Sequence, residues 1–342
     1  MALSFYDQQH INRLLTQEQS VNQLFNAFIN SVSPELRRWT DAGRNSVWIR
    51  NSGIENIIDR RLIEFQSELQ KLININSLDS WNGSTTKNDK LVSEYIKDLA
   101  ISSVIKNGMF NRNMDAFSIY QNRVEDGLDL SKRVSDLSGQ TKSQLEFYLK
   151  SGVGTGRSAQ IISQDIRQLM QDPDKRFHRI RDLKGNLVAS QPMKNYHPGQ
   201  GVYKSSYKNA VRIASTETNM AYRLADSERW NQLDFILGFE VKRSRNHQPC
   251  AVCDALVGKY PKDFVFPGWH PFCICVATPI VMEHDNFADY ILNKYSKANQ
   301  RYVADNFIKT IPSGASKFLK LNEKFVAKSY IKKYNNDLNS IV

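Results

Sequence analysis

Apolar residues recur at intervals of three and four along most of the chain, which is the spacing of one face of an α-helix. The pattern predicts helices over residues 11–32 and 54–72. It is strongest over residues 207–230, where much of the apolar face is small, so that another element can approach closely. Residues 235–241 (FILGFEV) are rich in aromatic and branched side chains and predict a strand.

Turn-forming residues predict where these helices are interrupted. Pro34 is expected to end the first helix after Ser33, since proline cannot continue the backbone ladder. Residues 79–89 (DSWNGSTTKND) predict a polar loop with its turn at Asn82-Gly83. A third helix is expected over about residues 90–106, with its stop at Asn107-Gly108. Residues 183–203 predict a surface loop or a short hairpin.

Composition supports a helical fold. Glycine and proline number only 16 and 10 of 342 residues, well below the usual combined share of about 12%. We therefore expect an α+β, predominantly helical protein. Its predicted regions are a helical N-terminal docking region (1–125), a small central α+β module (126–282) and a basic helical tail (283–342).

The chain is basic, with a formal net charge of +11, and the excess is concentrated in its last segment. Residues 287–342 hold ten lysines and arginines against four acids, interleaved with aromatic residues. One interpretation is a solvated helical face whose aromatics turn to the core. The other is a surface for DNA phosphates or an acidic partner, without readout of base sequence. The lysines considered for that contact are Lys317, Lys320, Lys324, Lys328, Lys332 and Lys333.

The sequence predicts neither a secretory signal nor a membrane span. The first residues (MALSFYDQQHINRLL) lack the basic and apolar regions of a secretory signal. No run approaches the roughly 18 apolar residues that span a bilayer. We therefore expect a protein made in a reducing cytoplasm.

All four cysteines lie within 26 residues and predict one local site. The pattern is Cys250-x-x-Cys253, sixteen residues, then His270-Pro-Phe-Cys273-Ile-Cys275. Zinc prefers four thiolate or imidazole ligands in a tetrahedron, and five are available here. The zinc set is either all four cysteines or three of them with His270. Disulfides or unliganded thiols are the alternatives, and disulfides would need an oxidising compartment.

A zinc ion with four protein ligands is structural, because no position remains open for water or substrate. Catalytic zinc is not expected, since neither H-x-E nor H-E-x-x-H occurs in the chain. His247 is interpreted as a loop residue. The spaced glycines of residues 152–156 do not predict a dinucleotide site, because a helix rather than a strand precedes them.

Three sequence blocks occur in an order typical of one protein family. The first is residues 130–134 (LSKRV), followed by the turn 152–158 and a helix over 159–166. The second is residues 212–222 (RIASTETNMAY), and the third combines Cys250, Cys253 and Gly258 with the closing HPFCIC. Together they resemble the phage head morphogenesis family of Mu F-like minor capsid proteins, over about residues 125–282. Ser215 and Ile274 stand where that family usually has arginine.

The resemblance implies a minor head protein of a tailed phage that associates with the portal, capsid and scaffold proteins. Such proteins are present in a few copies and assist head assembly, DNA packaging or ejection. It further implies a location in the virion, at the capsid interior or portal vertex, after assembly in the host cytoplasm. No enzymatic activity, membrane span or small-molecule substrate is expected, while packaged DNA is a possible contact. Glu217 matches the acid of the family's helix, and we expect it to be solvated or bonded to another element.

Two other functions remain open from the sequence. F-like modules can be fused to toxin enzymes such as ADP-ribosyltransferases or nucleases, although no paired-carboxylate, histidine–metal or Ser/His/Asp set is evident in either flank. A zinc-containing nucleic-acid-binding protein is the other alternative, and its affinity would fall steeply with salt.

Overall fold

The fold is mostly helical, with two small antiparallel sheets, which confirms the predominantly helical α+β class. It was obtained as a computed structural model that describes residues 3–40, 52–153, 170, 179–189, 205–244, 250–293, 306–327 and 329–335. The helices are α1 (Phe5–Thr40), α2 (Ser52–Tyr95), α3 (Ser103–Gly108), α4 (Met114–Gln121), α5 (Leu130–Val153), α6 (Ser206–Gln232), α7 (Ala251–Ala255), α8 (His284–Asn293), α9 (Ser313–Leu321), α10 (Glu323–Val326) and α11 (Tyr330–Tyr334). The strands are β1 (Arg179–Arg181), β2 (Leu187–Ala189), β3 (Ile236–Lys242), β4 (Gly258–Tyr260) and β5 (Val276–Val281).

The chain divides into two compact units that are discontinuous in sequence. The first unit comprises Met1–Leu14, Ile75–Gln121 and Ser215–Val342, and the second comprises Leu15–Asn74 and Asn122–Ala214. The second unit has its own helical core, in which the rings of Phe25 and Phe65 meet edge to face with centroids 4.8 Å apart. The hairpin of β1 and β2 belongs to this unit and pairs Ile180 with Val188.

The core of the first unit forms around a three-stranded sheet of order β4-β3-β5. In this sheet Phe239 of β3 lies opposite Tyr260 of β4 and Pro279 of β5. Cys253, Cys273 and Cys275 are buried in the same apolar cluster as these aromatic residues. The sheet therefore supports the cysteine-rich segment directly.

The two most distinctive pattern-based predictions are confirmed. The helix expected over residues 207–230 is α6, and its small side chains Ala210, Ala214, Ala221 and Ala225 are each at most 1% exposed. The strand expected over residues 235–241 is β3. Both elements are specified by local patterns, namely a repeat of three to four residues and a run of aromatic and branched side chains.

The predicted polar loop at residues 79–89 is wrong, because α2 runs through it without a break. Several of its polar side chains, Ser80, Ser84, Thr85 and Asn88 among them, are buried rather than solvated. Ser84 donates to Asp226 over 2.8 Å, Asn88 donates to the same carboxylate over 2.7 Å, and the Trp81 indole donates to the Arg112 carbonyl over 2.9 Å. The polar side chains of this segment bond to buried groups of the protein. From the sequence alone they look the same as side chains that bond to water.

Pro34 does not end the first helix as predicted, since α1 continues to Thr40. The hydroxyls of Ser31 and Ser33 donate to the carbonyls of Phe28 and Ile29, each over 2.7 Å, in the turn that proline weakens. Pro34 removes one backbone bond, the one from residue 34 to the Asn30 carbonyl, and the helix continues past it.

The third predicted helix, residues 90–106, is also wrong as a single element. Helix α2 ends at Tyr95, and the separate helix α3 begins after Ser102, whose hydroxyl accepts from the amide of Ile105. The predicted stop at Asn107-Gly108 is confirmed, because α3 ends at Gly108.

The remaining predicted elements are only partly described. Helix α5 ends at Val153, which confirms that a helix rather than a strand leads into the spaced glycines. The short hairpin expected near residues 183–203 is confirmed for the part that forms the β1–β2 turn. Residues 154–169, which include most of the glycine turn and the predicted helix 159–166, lie outside the described residues, as does His247.

The last segment is helical where it is described, as predicted, and it packs into the core of the first unit. Ile311, Ala315, Leu319 and Ile331 are buried in the same apolar cluster as the cysteines. Asn335 exchanges two hydrogen bonds with the backbone of Val265, of 2.8 and 2.9 Å. The basic segment is therefore part of the fold that surrounds the cysteine cluster.

Candidate metal centre

Two short chain segments bring the five candidate ligands together. Cys250 immediately precedes helix α7 and Cys253 lies inside it, so that one helical turn places both side chains on the same side. His270, Cys273 and Cys275 follow in the connection between β4 and β5, where the amide of Cys273 donates to the carbonyl of His270 over 3.1 Å. Cys250 and His270 are half-buried, and the other three are buried.

The predicted ligands form two overlapping groups. In the first, Nε2 of His270 lies 3.2 Å from Sγ of Cys250 and 3.1 Å from Sγ of Cys253. In the second, Cys253, Cys273 and Cys275 have sulfurs within 4.8 Å of one another. A tetrahedral zinc ion with Zn–S bonds of about 2.3 Å and a Zn–N bond of about 2.0 Å holds sulfur and nitrogen about 3.5 Å apart. The spacing in the first group is close to that value.

The hydrogen bonding of His270 suits a metal ligand. Its Nδ1 lies 2.7 Å from the carbonyl oxygen of Pro271, to which it can only donate. A neutral imidazole with its proton on Nδ1 has a free lone pair on Nε2, the atom that faces Cys250 and Cys253. Metal-bound histidines are normally oriented by this kind of bond from the other ring nitrogen.

The crowded thiols also suit a bound cation. Hydrogen bonds from Cys273 and Cys275, together with burial, raise the pKa of the Cys253 thiol. The hydrogen bond with Cys253 lowers the pKa of Cys275, but the bond with Cys273 and burial outweigh it and raise that pKa to about 12. Ionisation of Cys253 and Cys275 is therefore disfavoured on balance, and a divalent cation bound among these sulfurs would supply the positive charge that stabilises thiolates. All four cysteines are free thiols in the structure rather than disulfides.

Helix α6 holds the second ligand segment in place through two side chains. The guanidinium of Arg223 donates to the carbonyls of Cys273 and Cys275 over 2.6 and 2.9 Å, and it stacks 4.7 Å from the ring of Phe266. The amide of Asn219 donates to the Cys273 carbonyl over 3.1 Å. Gly268 adopts φ +112° and passes so close to Arg223 that a Cβ would collide with the guanidinium. The helix thus fixes the backbone that carries two of the ligands.

Sequence reasoning did not find Asn219 or Arg223. Their signal was available, since they are polar residues four apart on the helix face that is otherwise rich in small side chains. That face is buried, and a buried polar residue needs a partner. Which partner it has depends on a segment fifty residues further along the chain.

Behind Asn219 lies a buried polar network that the sequence analysis also missed. Nε2 of His10 lies 2.8 Å from Oδ1 of Asn219, and the His10 ring stacks 4.0 Å from that of Tyr222. Lys87 is 2.6 Å from Asp226 and 3.5 Å from Asp7. Burial opposes the charge of Lys87, but Asp226 outweighs it and raises the pKa of this lysine. Burial likewise raises the pKa of Asp226 against the influence of Lys87.

Glu217 and the tail lysines, which were also singled out from the sequence, lie outside the cysteine cluster. Glu217 is buried, and the hydroxyl of Tyr120 on helix α4 donates to its carbonyl and to its carboxylate, over 2.5 and 3.2 Å. Of the tail lysines, Lys317, Lys320 and Lys324 are exposed, Lys332 and Lys333 are half-buried, and Lys328 lies outside the described residues. In the described part of the chain, no helix is long and apolar enough to cross a bilayer.

Comparison of the chain with protein families, curated proteins and solved structures found no match. The function is therefore inferred from the cluster itself. Its donor atoms, spacing and supporting hydrogen bonds are those of a site that can hold one metal ion.

Proposed function

We propose that residues 250–275 hold one structural zinc ion. The observation that carries the proposal is Nε2 of His270, which faces the sulfurs of both Cys250 and Cys253 within 3.2 Å. This favours a set of Cys250, Cys253, His270 and one thiolate from Cys273 or Cys275 over the all-cysteine set. Zinc would hold the α7 segment against the β4–β5 connection and would leave no position for substrate.

Metal analysis tests the site. Protein purified under reducing conditions without chelator should contain one zinc per chain, and material without zinc would contradict the proposal. The ligand set is distinguished by cobalt substitution, because the intensity of sulfur-to-cobalt charge transfer grows with the number of thiolates. His270→Ala should alter this spectrum if the histidine is bound, and should leave it unchanged if all four ligands are cysteines.

We further propose that the chain is a structural minor capsid protein of a tailed phage, without enzymatic activity. It would associate with the portal and with capsid or scaffold proteins, and would act in head assembly, DNA packaging or ejection. The support is the family resemblance together with one contact. Asn219 of the second resembling block donates to the backbone carbonyl of Cys273 in the third, a contact that is expected if the two blocks belong to one module.

Mass spectrometry of virions tests this role. Particles purified from a culture that expresses the chain should contain it in a few copies, cross-linked to the portal protein after treatment with a bifunctional reagent. Absence of the chain from purified particles would overturn the proposal. An ADP-ribosyltransferase or nuclease activity of the purified chain would favour the toxin-like alternative instead.

Nucleic-acid binding is a second candidate because Lys317, Lys320 and Lys324 are all exposed. If they contact phosphates, replacing all three with glutamate should reduce the slope of log affinity for duplex DNA against log salt by about 2.7. Lys184→Glu, at an exposed position in the β1–β2 turn, is the matched control. An unchanged slope would remove these lysines from the DNA contact. Substitution is preferable to deletion of the tail, which would remove core residues such as Leu319.

A further inference from the structure

His10, in the second turn of helix α1, is connected to the candidate metal centre through a single side chain. Its Nε2 lies 2.8 Å from Oδ1 of Asn219, which is 209 positions away in the sequence. Nδ2 of the same Asn219 amide donates to the carbonyl of Cys273 over 3.1 Å. The two bonds therefore join helix α1 to the backbone of a candidate ligand, and all three residues belong to the first unit.

The orientation of the Asn219 amide is set by the groups on either side of it. A carbonyl oxygen can only accept, so the Cys273 carbonyl requires the NH₂ group of Asn219 on its side. The amide oxygen then lies on the side of His10 and needs a donor there. If the amide were rotated by half a turn, its oxygen would face the Cys273 carbonyl, and two acceptors would oppose each other.

His10 supplies this donor because of the tautomer that its surroundings favour. The ring is buried, and burial lowers its pKa to about 3, so it is neutral and carries one N–H group. Its Nδ1 lies 3.4 Å from the hydroxyl of Ser80 in α2, and the oxygen of that hydroxyl accepts from Arg13 over 3.4 Å. The hydroxyl proton of Ser80 is thus directed to Nδ1, and the ring proton lies on Nε2, which faces Asn219.

The ring of His10 is also held in one plane. It stacks on the ring of Tyr222, with the centroids 4.0 Å apart and the planes inclined by 9°. Asn219 and Ser80, which bond to its two nitrogens, are both buried. The donor on Nε2 is therefore fixed in position as well as in tautomer.

We propose that His10 is a positioning residue for the metal centre. It holds the amide of Asn219 with the NH₂ group toward Cys273, and Arg223 bonds to the same carbonyl over 2.6 Å. The backbone of the second ligand segment is thereby oriented from helix α1 as well as from helix α6. This role depends on the zinc site proposed above.

The zinc affinity of the full-length protein, measured by competition with a chromophoric chelator, tests this role. His10→Phe keeps a ring that can stack on Tyr222 but removes the donor to Asn219. It should weaken zinc binding about ten-fold, at the lower end of the effect of contacts that orient metal ligands.

Tyr222→Phe is the matched control for His10→Phe. It removes a buried hydrogen bond of 3.0 Å to Asp7 from the neighbouring ring, but it leaves the contact of His10 with Asn219 intact. Because this bond is not connected to Cys273, the zinc affinity should stay within about two-fold of that of the parent protein. Equal zinc affinities of the parent protein and His10→Phe would overturn the proposal.

A double-mutant cycle separates positioning from a general loss of stability. If His10 acts through Asn219, His10→Phe should have no further effect on zinc affinity in the Asn219→Ala background. Effects of the two substitutions that simply add would mean that His10 acts on the fold alone, and they would overturn the proposal.

NMR of the zinc-loaded protein, labelled at its histidine side chains, tests the tautomer at pH 7. Protonated and unprotonated ring nitrogens have well-separated chemical shifts, and the signals of His10 are those that His10→Phe lacks. We expect the proton on Nε2, and a proton on Nδ1 would overturn the role of His10 while leaving the zinc site in place. A parent protein that binds no zinc would instead overturn both.

Discussion

At the scale of single residues, His10 shows how burial sets a charge state. Its ring is 5% exposed, and Nε2 donates to Oδ1 of Asn219 over 2.8 Å. Burial lowers its pKa from 6.5 to about 3 and outweighs the bond to Asn219, which acts in the opposite direction, while the charge of Arg223 lowers the pKa further. His10 is therefore neutral in the folded protein at physiological pH.

This pKa predicts a loss of stability in acid. The unfolded chain binds a proton at His10 near pH 6.5, whereas the folded chain does so only near pH 3. The contribution of His10 is fully present above pH 6.5 and declines as the pH falls towards 3, by up to about 1.4 kcal/mol per pH unit. The free energy of unfolding, measured in urea at pH 7 and at pH 5.5, should differ less between the two pH values for His10→Gln than for the parent protein. His284→Gln changes an exposed histidine and should show the same change in unfolding free energy between the two pH values as the parent protein. An equal pH dependence in the parent and both variants would contradict the prediction.

Arg223 is predicted to control metal affinity without touching the metal. Arg223→Lys keeps the charge but loses the fork that reaches both the Cys273 and Cys275 carbonyls. Loss of such a supporting contact typically lowers metal affinity about 10–100-fold. Competition with a chromophoric zinc chelator measures the change. Glu228→Gln, at an exposed position on the same helix, is the control, and a zinc affinity unchanged in Arg223→Lys would refute this role.

At the scale of elements, the continuity of α2 predicts a stabilising substitution. Gly83 lies inside the helix, and a Cβ there would meet Arg13 and Tyr222 at ordinary distances of 3.5 and 3.9 Å. Gly83→Ala should therefore raise the free energy of unfolding by about 0.5–1 kcal/mol, because alanine loses less entropy in a helix. In the turn suggested by Asn82-Gly83 the same change would be destabilising. Gly127→Ala, at φ +79°, is the reference for that outcome, and urea unfolding measures both.

Helix α9 offers a matched pair that tests whether the basic segment belongs to the core. Leu319 is 4% exposed, while Leu321, two residues on, is 73% exposed. Leu319→Ala should lower the free energy of unfolding by about 2–4 kcal/mol, because it leaves a cavity in a packed core. Leu321→Ala should change it by less than about 0.5 kcal/mol. Equal small effects would mean that the segment is not packed in solution.

For the whole molecule, the proposed zinc site predicts a dependence of stability on zinc. A ligand at 100 times its dissociation constant stabilises a fold by about 2.7 kcal/mol. Removal of zinc with a strong chelator should lower the thermal midpoint and change the fluorescence of Trp269, which is buried beside His270. Added Zn²⁺ should restore both properties and Mg²⁺ should restore neither. A midpoint that is the same with and without chelator would contradict a structural zinc.

The local features of this protein were predictable because their causes are local. The repeat of small and apolar residues predicted α6, and the run of aromatic and branched residues predicted β3. The spacing of the cysteines and His270 predicted one cluster, since Cys250 and Cys253 meet within a single turn and Cys273 and Cys275 follow one another closely in sequence.

The errors have non-local causes. The Asn82-Gly83 pair looked like a turn, but Asp226, more than 130 residues away, accepts hydrogen bonds from Ser84 and Asn88 and keeps the segment helical. The sequence left open whether the basic tail is a solvated face over the core or a contact surface, and the burial of Leu319 beside the cysteines depends on segments far away in the chain. The polarity and charge of a residue show which kinds of bond it can form. Which group becomes its bonding partner depends on the fold.

The sequence by itself therefore determined the helical class, the strongest elements and the set of possible metal ligands, because periodicity and spacing act over a few residues. Only the tertiary structure decided that His270 faces two cysteines, that Arg223 and Asn219 hold the ligand backbone, and that His10 lies against Asn219. These features arise from contacts between distant segments, whose energies depend on burial and geometry that no local pattern encodes.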